Sequence, residues 1–196
     1  MQKTNGKINT RTLVLGAMLT ALVVVFQFIG SAIKFGPFSI SLVLIPIVIG
    51  AALCGPLVGA WLGYVFGVVV FISGDAAWFL TISIPGTIIT VMLKGVACGA
   101  VAGLVYRLLK NKNKYLAGVA SAIICPIVNT GVFVLGCLAF FYSDVSAAGA
   151  AQGYDSGLAF IFLGMIGLNF LVELIINAVL SPVVVMLIDL YERKKI

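Results

Sequence analysis

The sequence contains no histidine. That removes imidazole acid–base catalysis, Ser-His and Cys-His nucleophile pairs, and most metal-ligand sets. Charge is scarce as well: Asp, Glu, Lys and Arg make up 9% of the 196 residues, against about 25% in a soluble globular chain. No G-x-x-x-x-G-K-[ST] stretch occurs, so the chain hydrolyses no nucleotide by that route. The four cysteines, Cys54, Cys98, Cys125 and Cys137, stand singly in apolar stretches without C-x-x-C spacing, and read as buried small hydrophobes.

What is present in excess is hydrocarbon. Hydrophobic residues reach 62% and the mean hydropathy is +1.23. Such a chain has too little polar surface to cover itself in water, so most of its surface faces lipid. A soluble enzyme, a disordered chain and a nucleic-acid-binding domain are excluded together. The net charge of +6 would suggest an acidic partner only if it formed a face, but the basic residues sit in short clusters at the ends of apolar runs.

A hydrocarbon core of about 30 Å takes roughly 20 helical residues to cross. The apolar runs predict an all-α integral membrane protein, a single membrane domain of six transmembrane helices at about 12–29, 40–54, 56–73, 84–109, 115–142 and 157–190. The first follows Lys3, Lys7 and Arg11, as a signal peptide would, but no cleavage site leads into a polar mature chain, so it reads as a retained helix. The stretch Ser31-Ala32-Ile33-Lys34-Phe35-Gly36-Pro37 then breaks the pattern with Lys34, Gly36 and Pro37. The second run, from Ile40, is short and contains Pro46, which leaves it tilted, bent or partly re-entrant. Gly55-Pro56 is a turn with proline at the first position of the next helix. Gly74-Asp75 and an amphipathic stretch lead to the fourth run, and residues 110–114 and 143–157 read as polar loops.

The basic clusters lie at the N-terminus, at 107–114 and at Arg193, Lys194 and Lys195. Short loops rich in Lys and Arg stay cytoplasmic. Four spans followed by two place all three clusters, and both termini, on the cytoplasmic side. Asp144 and Asp155 then fall outside.

Helix association in lipid depends on small residues rather than on a hydrophobic driving force. Gly55, Gly59, Gly63 and Gly67 repeat every four residues, as do Gly95, Gly99 and Gly103. Each set lines one helix face and predicts a packing seam. Ala17-Met18-Leu19-Thr20-Ala21 is another small-xxx-small pair, near the cytoplasmic end of the first helix.

Taken with that alanine pair, a basic-tailed chain of this length and six-helix pattern resembles the substrate-binding S component of energy-coupling factor (ECF) vitamin transporters. The stretches Gly86-Thr87-Ile88-Ile89-Thr90-Val91-Met92-Leu93-Lys94-Gly95 and Pro126-Ile127-Val128-Asn129-Thr130-Gly131 are similar to members of that family too. The resemblance implies that Ala17 and Ala21 face a coupling transmembrane subunit connected to two cytoplasmic ATPase subunits. It also implies a site closed by extracellular loops, for which residues 31–39 and 143–157 are placed. The missing P-loop fits a subunit that binds substrate and borrows its energy.

Charge at mid-membrane costs about 2.5–3.5 kcal/mol on insertion scales and therefore faces the bundle interior or a wet cavity. At about 1.5 Å per residue, Lys94 and Glu173 lie roughly 15 and 24 Å from the outer ends of their helices. Two readings of Lys94 stand: an ion pair with Glu173 that locks the bundle, or a partner for a substrate carboxylate. Asn169, Glu173 and Asn177 share one helix face at i, i+4, i+8 spacing and line either a cavity or a helix contact, with Asn177 the most structural of the three. Asn129, Gln27, Asp75 and Trp78 complete the candidate lining, Gln27 with a helix-interface role and Trp78 with an interfacial-belt role as alternatives.

The expectation is a substrate-capturing subunit of an ECF importer in a bacterial plasma membrane, not an enzyme, with no cofactor, no metal and no nucleic acid. Its substrate would be a water-soluble vitamin or related micronutrient. A pantothenate-like anion is the guess, with riboflavin or folate as other candidates. The rivals are a proton-coupled secondary transporter using Glu173, a membrane enzyme, and an assembly protein that holds no small ligand.

Overall fold

The computed structural model describes residues 10–32, 34–35, 38–39 and 42–193. Lys3, Lys7, Ile33, Gly36, Pro37, Ile40, Lys194 and Lys195, which enter the sequence argument, lie outside the described residues. The chain begins with α1 (Thr10–Ala32), followed by a two-residue antiparallel ladder of β1 (Lys34–Phe35) and β2 (Phe38–Ser39). Next come α2 (Leu44–Cys54), α3 (Pro56–Ser73), the short α4 (Ala77–Ile82) and α5 (Ile84–Leu109). After α6 (Lys114–Gly136), a π-helical turn (Cys137–Phe141) leads without a break into α7 (Tyr142–Ala151). The last run is α8 (Gly157–Ala159), a second π-helical turn (Phe160–Ile166) and α9 (Gly167–Arg193). Among the described residues, five helical runs are long and apolar enough to cross a membrane.

The helix ends follow from local chemistry. Gly55 takes φ +94°, a conformation that side-chain-bearing residues rarely adopt, and Pro56 opens α3 with φ already fixed. Gly74, at φ +82°, ends α3 in the left-handed form and turns the chain so that Asp75 follows at once. Ser83 caps α5 by accepting a hydrogen bond from the Gly86 amide at 3.3 Å, and Asn113 caps α6 by accepting from the Leu116 amide at 3.1 Å.

Helix α2 has 11 residues and so extends only about 16 Å, half the hydrocarbon depth. Leu44, Ile47, Val48 and Ala51 on it are fully buried. It is enclosed by protein on several sides, which is why so short an apolar helix is stable here.

Two corrections to the sequence reading emerge. Residues 143–157 are not a loop: α7 runs to Ala151, leaving 152–156 as the connection. Serine and aspartate suggested a loop, but the segment is rich in alanine, the best helix former. Val145 is fully buried and Gly149 packs against Phe160, so tertiary packing supports the helix. Gly55 is a turn residue and not part of the α3 seam, since a Cβ there would meet nothing within 4 Å.

The rest of the seam holds α3 against α5 backbone to backbone. A Cβ at Gly59 would overlap the carbonyl oxygen of Gly99, and one at Gly63 that of Gly95. A Cβ at Gly103 would lie 2.6 Å from Pro56 Cα. Only hydrogen at these positions permits so close an approach.

The core falls into two clusters. One surrounds α2 and includes Leu44, Ile47, Phe66, Cys98 and Ala102. The other gathers Phe79, Cys137, Phe141, Phe160 and Ile161 around the two π-helical turns. The four cysteines are free thiols, with Cys98, Cys125 and Cys137 buried.

Candidate functional site

Between the two clusters lies a cavity of about 90 Å³. Its walls come from α1 (Gln27), α3 (Phe66, Val70), the α3–α4 turn (Asp75), α5 (Val91, Lys94), α6 (Asn129, Thr130, Phe133) and α9 (Asn169, Phe170, Glu173). Phe66 and Val91 belong to the first cluster, and Phe79 and Ile166, which also line it, to the second. The polar side chains thus occupy the gap that the two apolar cores leave between them.

The structure brings together six of the seven residues singled out for substrate: Gln27, Asp75, Lys94, Asn129, Asn169 and Glu173. Trp78 stands apart. It is 43% exposed and reaches the cavity only through Phe79, whose ring meets its own edge to face with centroids 4.8 Å apart. Asn177 donates to the backbone carbonyl of Glu173 at 2.8 Å, a bond within its own helix that fits the structural role expected of it.

Lys94 is partly buried, and its Nζ lies 5.4 Å from the ring centroid of Phe66 and 5.4 Å from that of Phe133. Two ring faces attract a cation by about 0.5–2 kcal/mol each, depending on desolvation. The carboxylates of Glu173 and Asp75 also attract it electrostatically. Each carboxylate holds an amide donor: Asp75 Oδ2 accepts from Gln27 Nε2 at 2.7 Å, and Glu173 Oε1 accepts from Asn169 Nδ2 at 3.4 Å.

The Asn169 amide is oriented by that second contact. Its nitrogen must face the carboxylate, so its oxygen faces elsewhere. Asn169 Oδ1 is buried with no hydrogen-bond partner, as is Oδ1 of Asn129, a residue only 5% exposed. An unsatisfied buried acceptor costs about 1–3 kcal/mol. Two such groups lie on the walls of one cavity, where a donor could meet them. Among the described residues, no three of Cys, Asp or Glu come together in a metal-binding group.

Sequence reasoning overlooked the aromatic half of the lining: Phe66, Phe79, Phe133 and Phe170. In a chain this apolar, a phenylalanine that faces a cavity and one that faces lipid give the same signal. Thr130 was within reach, since it adjoins Asn129. Ala17 and Ala21 lie exposed on α1, beside the exposed Leu13, Met18 and Leu22.

The family described as "ECF transporter, substrate-specific component" matches residues 11–185. No curated protein matches the chain.

Proposed function

This chain belongs to the substrate-specific components of ECF transporters, and we propose that it captures a water-soluble vitamin or related micronutrient in the cavity around Lys94. It is a multi-pass membrane protein whose family serves transport by binding rather than by catalysis. Gln27, Asp75, Lys94, Asn129, Asn169 and Glu173 would hold the substrate, with Trp78 acting at second hand through Phe79. The supporting observation is the pair of buried, unpartnered amide oxygens, Asn129 Oδ1 and Asn169 Oδ1, on the wall of a cavity that also holds a cation. A helix contact that merely glued the bundle would have satisfied them with one another or with neighbouring donors.

In this reading the chain is one membrane domain that crosses six times in a bacterial plasma membrane, with α2 as the short second crossing. Both ends and the basic segment 107–114 face the cytoplasm. The cavity then opens toward the outside, because Asp75 follows the outer end of α3 and Gln27 lies late on α1. A coupling transmembrane subunit would dock on the exposed Ala17–Ala21 face of α1, and two ATPase subunits would supply the energy. A vitamin-sized ligand occupies a pocket of roughly 300–1,000 Å³, so the cavity of about 90 Å³ must widen as substrate enters.

Reconstitution tests this reading. The purified chain alone should retain a small molecule detectable by mass spectrometry, yet catalyse no uptake into vesicles. Uptake should require the coupling subunit, both ATPases and ATP. Uptake by the chain alone under a proton gradient would favour a secondary transporter with Glu173 as proton carrier, and absence of any retained or binding molecule would favour an assembly role.

A further inference from the structure

We propose that the substrate is an organic anion that also carries hydroxyl or amide N–H donors, an inference that rests on the cavity being the substrate site. Lys94 brings a cation to the cavity wall, and Asn129 and Asn169 each bring an amide oxygen without a partner, so the lining calls for groups of two kinds.

The first is an oxygen acceptor with charge. An ammonium has three N–H donors, and the contacts around Lys94 Nζ are the ring faces of Phe66 and Phe133 at 5.4 Å. A ring face draws a cation inward but accepts no directed hydrogen bond of ordinary strength. The two acidic side chains of the lining each hold an amide, Asp75 that of Gln27 and Glu173 that of Asn169, and both attract Lys94 electrostatically. A substrate carboxylate would give the ammonium a charge-assisted hydrogen bond, which a ring face does not supply.

The second demand is for donors. Asn169 is turned by Glu173 so that Oδ1 is left over, and Asn129 Oδ1 is likewise buried without a partner. The two come from different helices, α9 and α6, while Lys94 comes from α5. A ligand that satisfies all three therefore bears a negative group at one end and N–H or O–H groups further along. A simple fatty acid meets only the first demand, a neutral sugar only the second, and a cation brings no negative group to Lys94. The four phenylalanines in the walls accept the apolar skeleton between these groups.

Matched probes distinguish the possibilities. The purified chain in lipid nanodiscs should be titrated with pantothenate and panthenol, biotin and biotinamide, nicotinate and nicotinamide, and thiamine, with affinity and thermal shift as readouts. The acid of any pair that binds should bind at least about ten-fold tighter than its neutral partner, and thiamine should bind more weakly than the acids. The donor-bearing acids, pantothenate and biotin, should lose about ten-fold in affinity on Asn169→Leu, whereas nicotinate, which has no such donor, should lose less than about two-fold. Lys94→Gln should reduce the acid-over-neutral preference to within about two-fold. The wild-type comparison stands even where a variant fails to fold. Equal or better binding of the neutral partners, or preference for thiamine, would overturn the proposal while leaving the cavity as the substrate site. Where none of the seven binds, the molecule retained by the purified chain decides: one without an anionic group would overturn the proposal, and no retained molecule at all would overturn both.

Discussion

Gln27 and Asp75, 48 positions apart in the chain, are joined by a hydrogen bond of 2.7 Å from the amide nitrogen to the carboxylate oxygen. It ties the second half of α1 to the turn that leaves α3. A further contact of Gln27 with Ser73 Oγ at 3.4 Å reinforces the tie. Both partners line the cavity, so the link fixes one wall of the site and closes α1 onto the bundle at that level.

This tie predicts an ordered set of variants. Gln27→Ala should lower stability by about 1.5 kcal/mol, the lower end for a bond to a charged acceptor, since Asp75 is only partly buried. Gln27→Glu should cost more, because it sets a carboxylate against a carboxylate. Asp75→Asn should then recover part of that loss in the double variant. Thermal unfolding in nanodiscs at neutral pH measures the series, and Gln27→Glu behaving no worse than Gln27→Ala would argue against the bond.

The α3–α5 seam predicts that the same substitution has opposite effects at two glycines. Gly63→Ala places a methyl group on the carbonyl of Gly95, and overpacking of this kind costs typically about 1–3 kcal/mol. Gly131→Ala on α6 meets nothing within 4 Å and should stabilise the helix by roughly 0.5–1 kcal/mol. The two melting temperatures should therefore move in opposite directions from that of the wild type.

If the exposed face of α1 receives the coupling subunit, Ala17→Leu and Ala21→Leu should separate binding from transport. Neither side chain lines the cavity, so affinity for substrate in the isolated chain should be unchanged within about two-fold. ATP-driven uptake in the reconstituted complex should fall at least ten-fold in the double variant. Pull-down of the coupling subunit would show whether the loss is one of docking.

Orientation can be read in intact cells by thiol labelling. In a background with the four cysteines replaced, Gln152→Cys should react with a membrane-impermeant maleimide added outside. Asn111→Cys should react only after the membrane is permeabilised. Both positions are exposed in the structure, so the side of the membrane alone decides the outcome. Labelling in the reverse sense would invert the proposed topology.

Much of the scaffold was legible because its punctuation is local. Gly55-Pro56 marks a helix start by φ preference, and Lys110, Asn111, Lys112, Asn113 and Lys114 interrupt the hydrocarbon too strongly to be missed. The glycine repeats were readable as a seam because four-residue spacing keeps residues on one helix face. The helix at Tyr142–Ala151 was not legible. Its serines and aspartate suggested solvent, and the packing of Val145 and Gly149 against the rest of the molecule adds to its alanine content to hold it.

The sequence by itself determined the solvent, the approximate lengths of the helices, and which few side chains would be expensive to leave in lipid. Charge and amide groups are rare enough in this chain that each could be named before any contact was known. The tertiary structure decided which of them meet: that Gln27 reaches Asp75, that Asn169 is turned by Glu173, and that Phe66 and Phe133 face Lys94 rather than lipid. In a membrane both the inner and the outer faces of a helix are apolar, so hydropathy gives little sign of how each helix is rotated. That rotation is set by the fit of neighbouring helices, here by glycines that let α3 and α5 touch, and it leaves between the two apolar clusters a gap into which the polar groups turn.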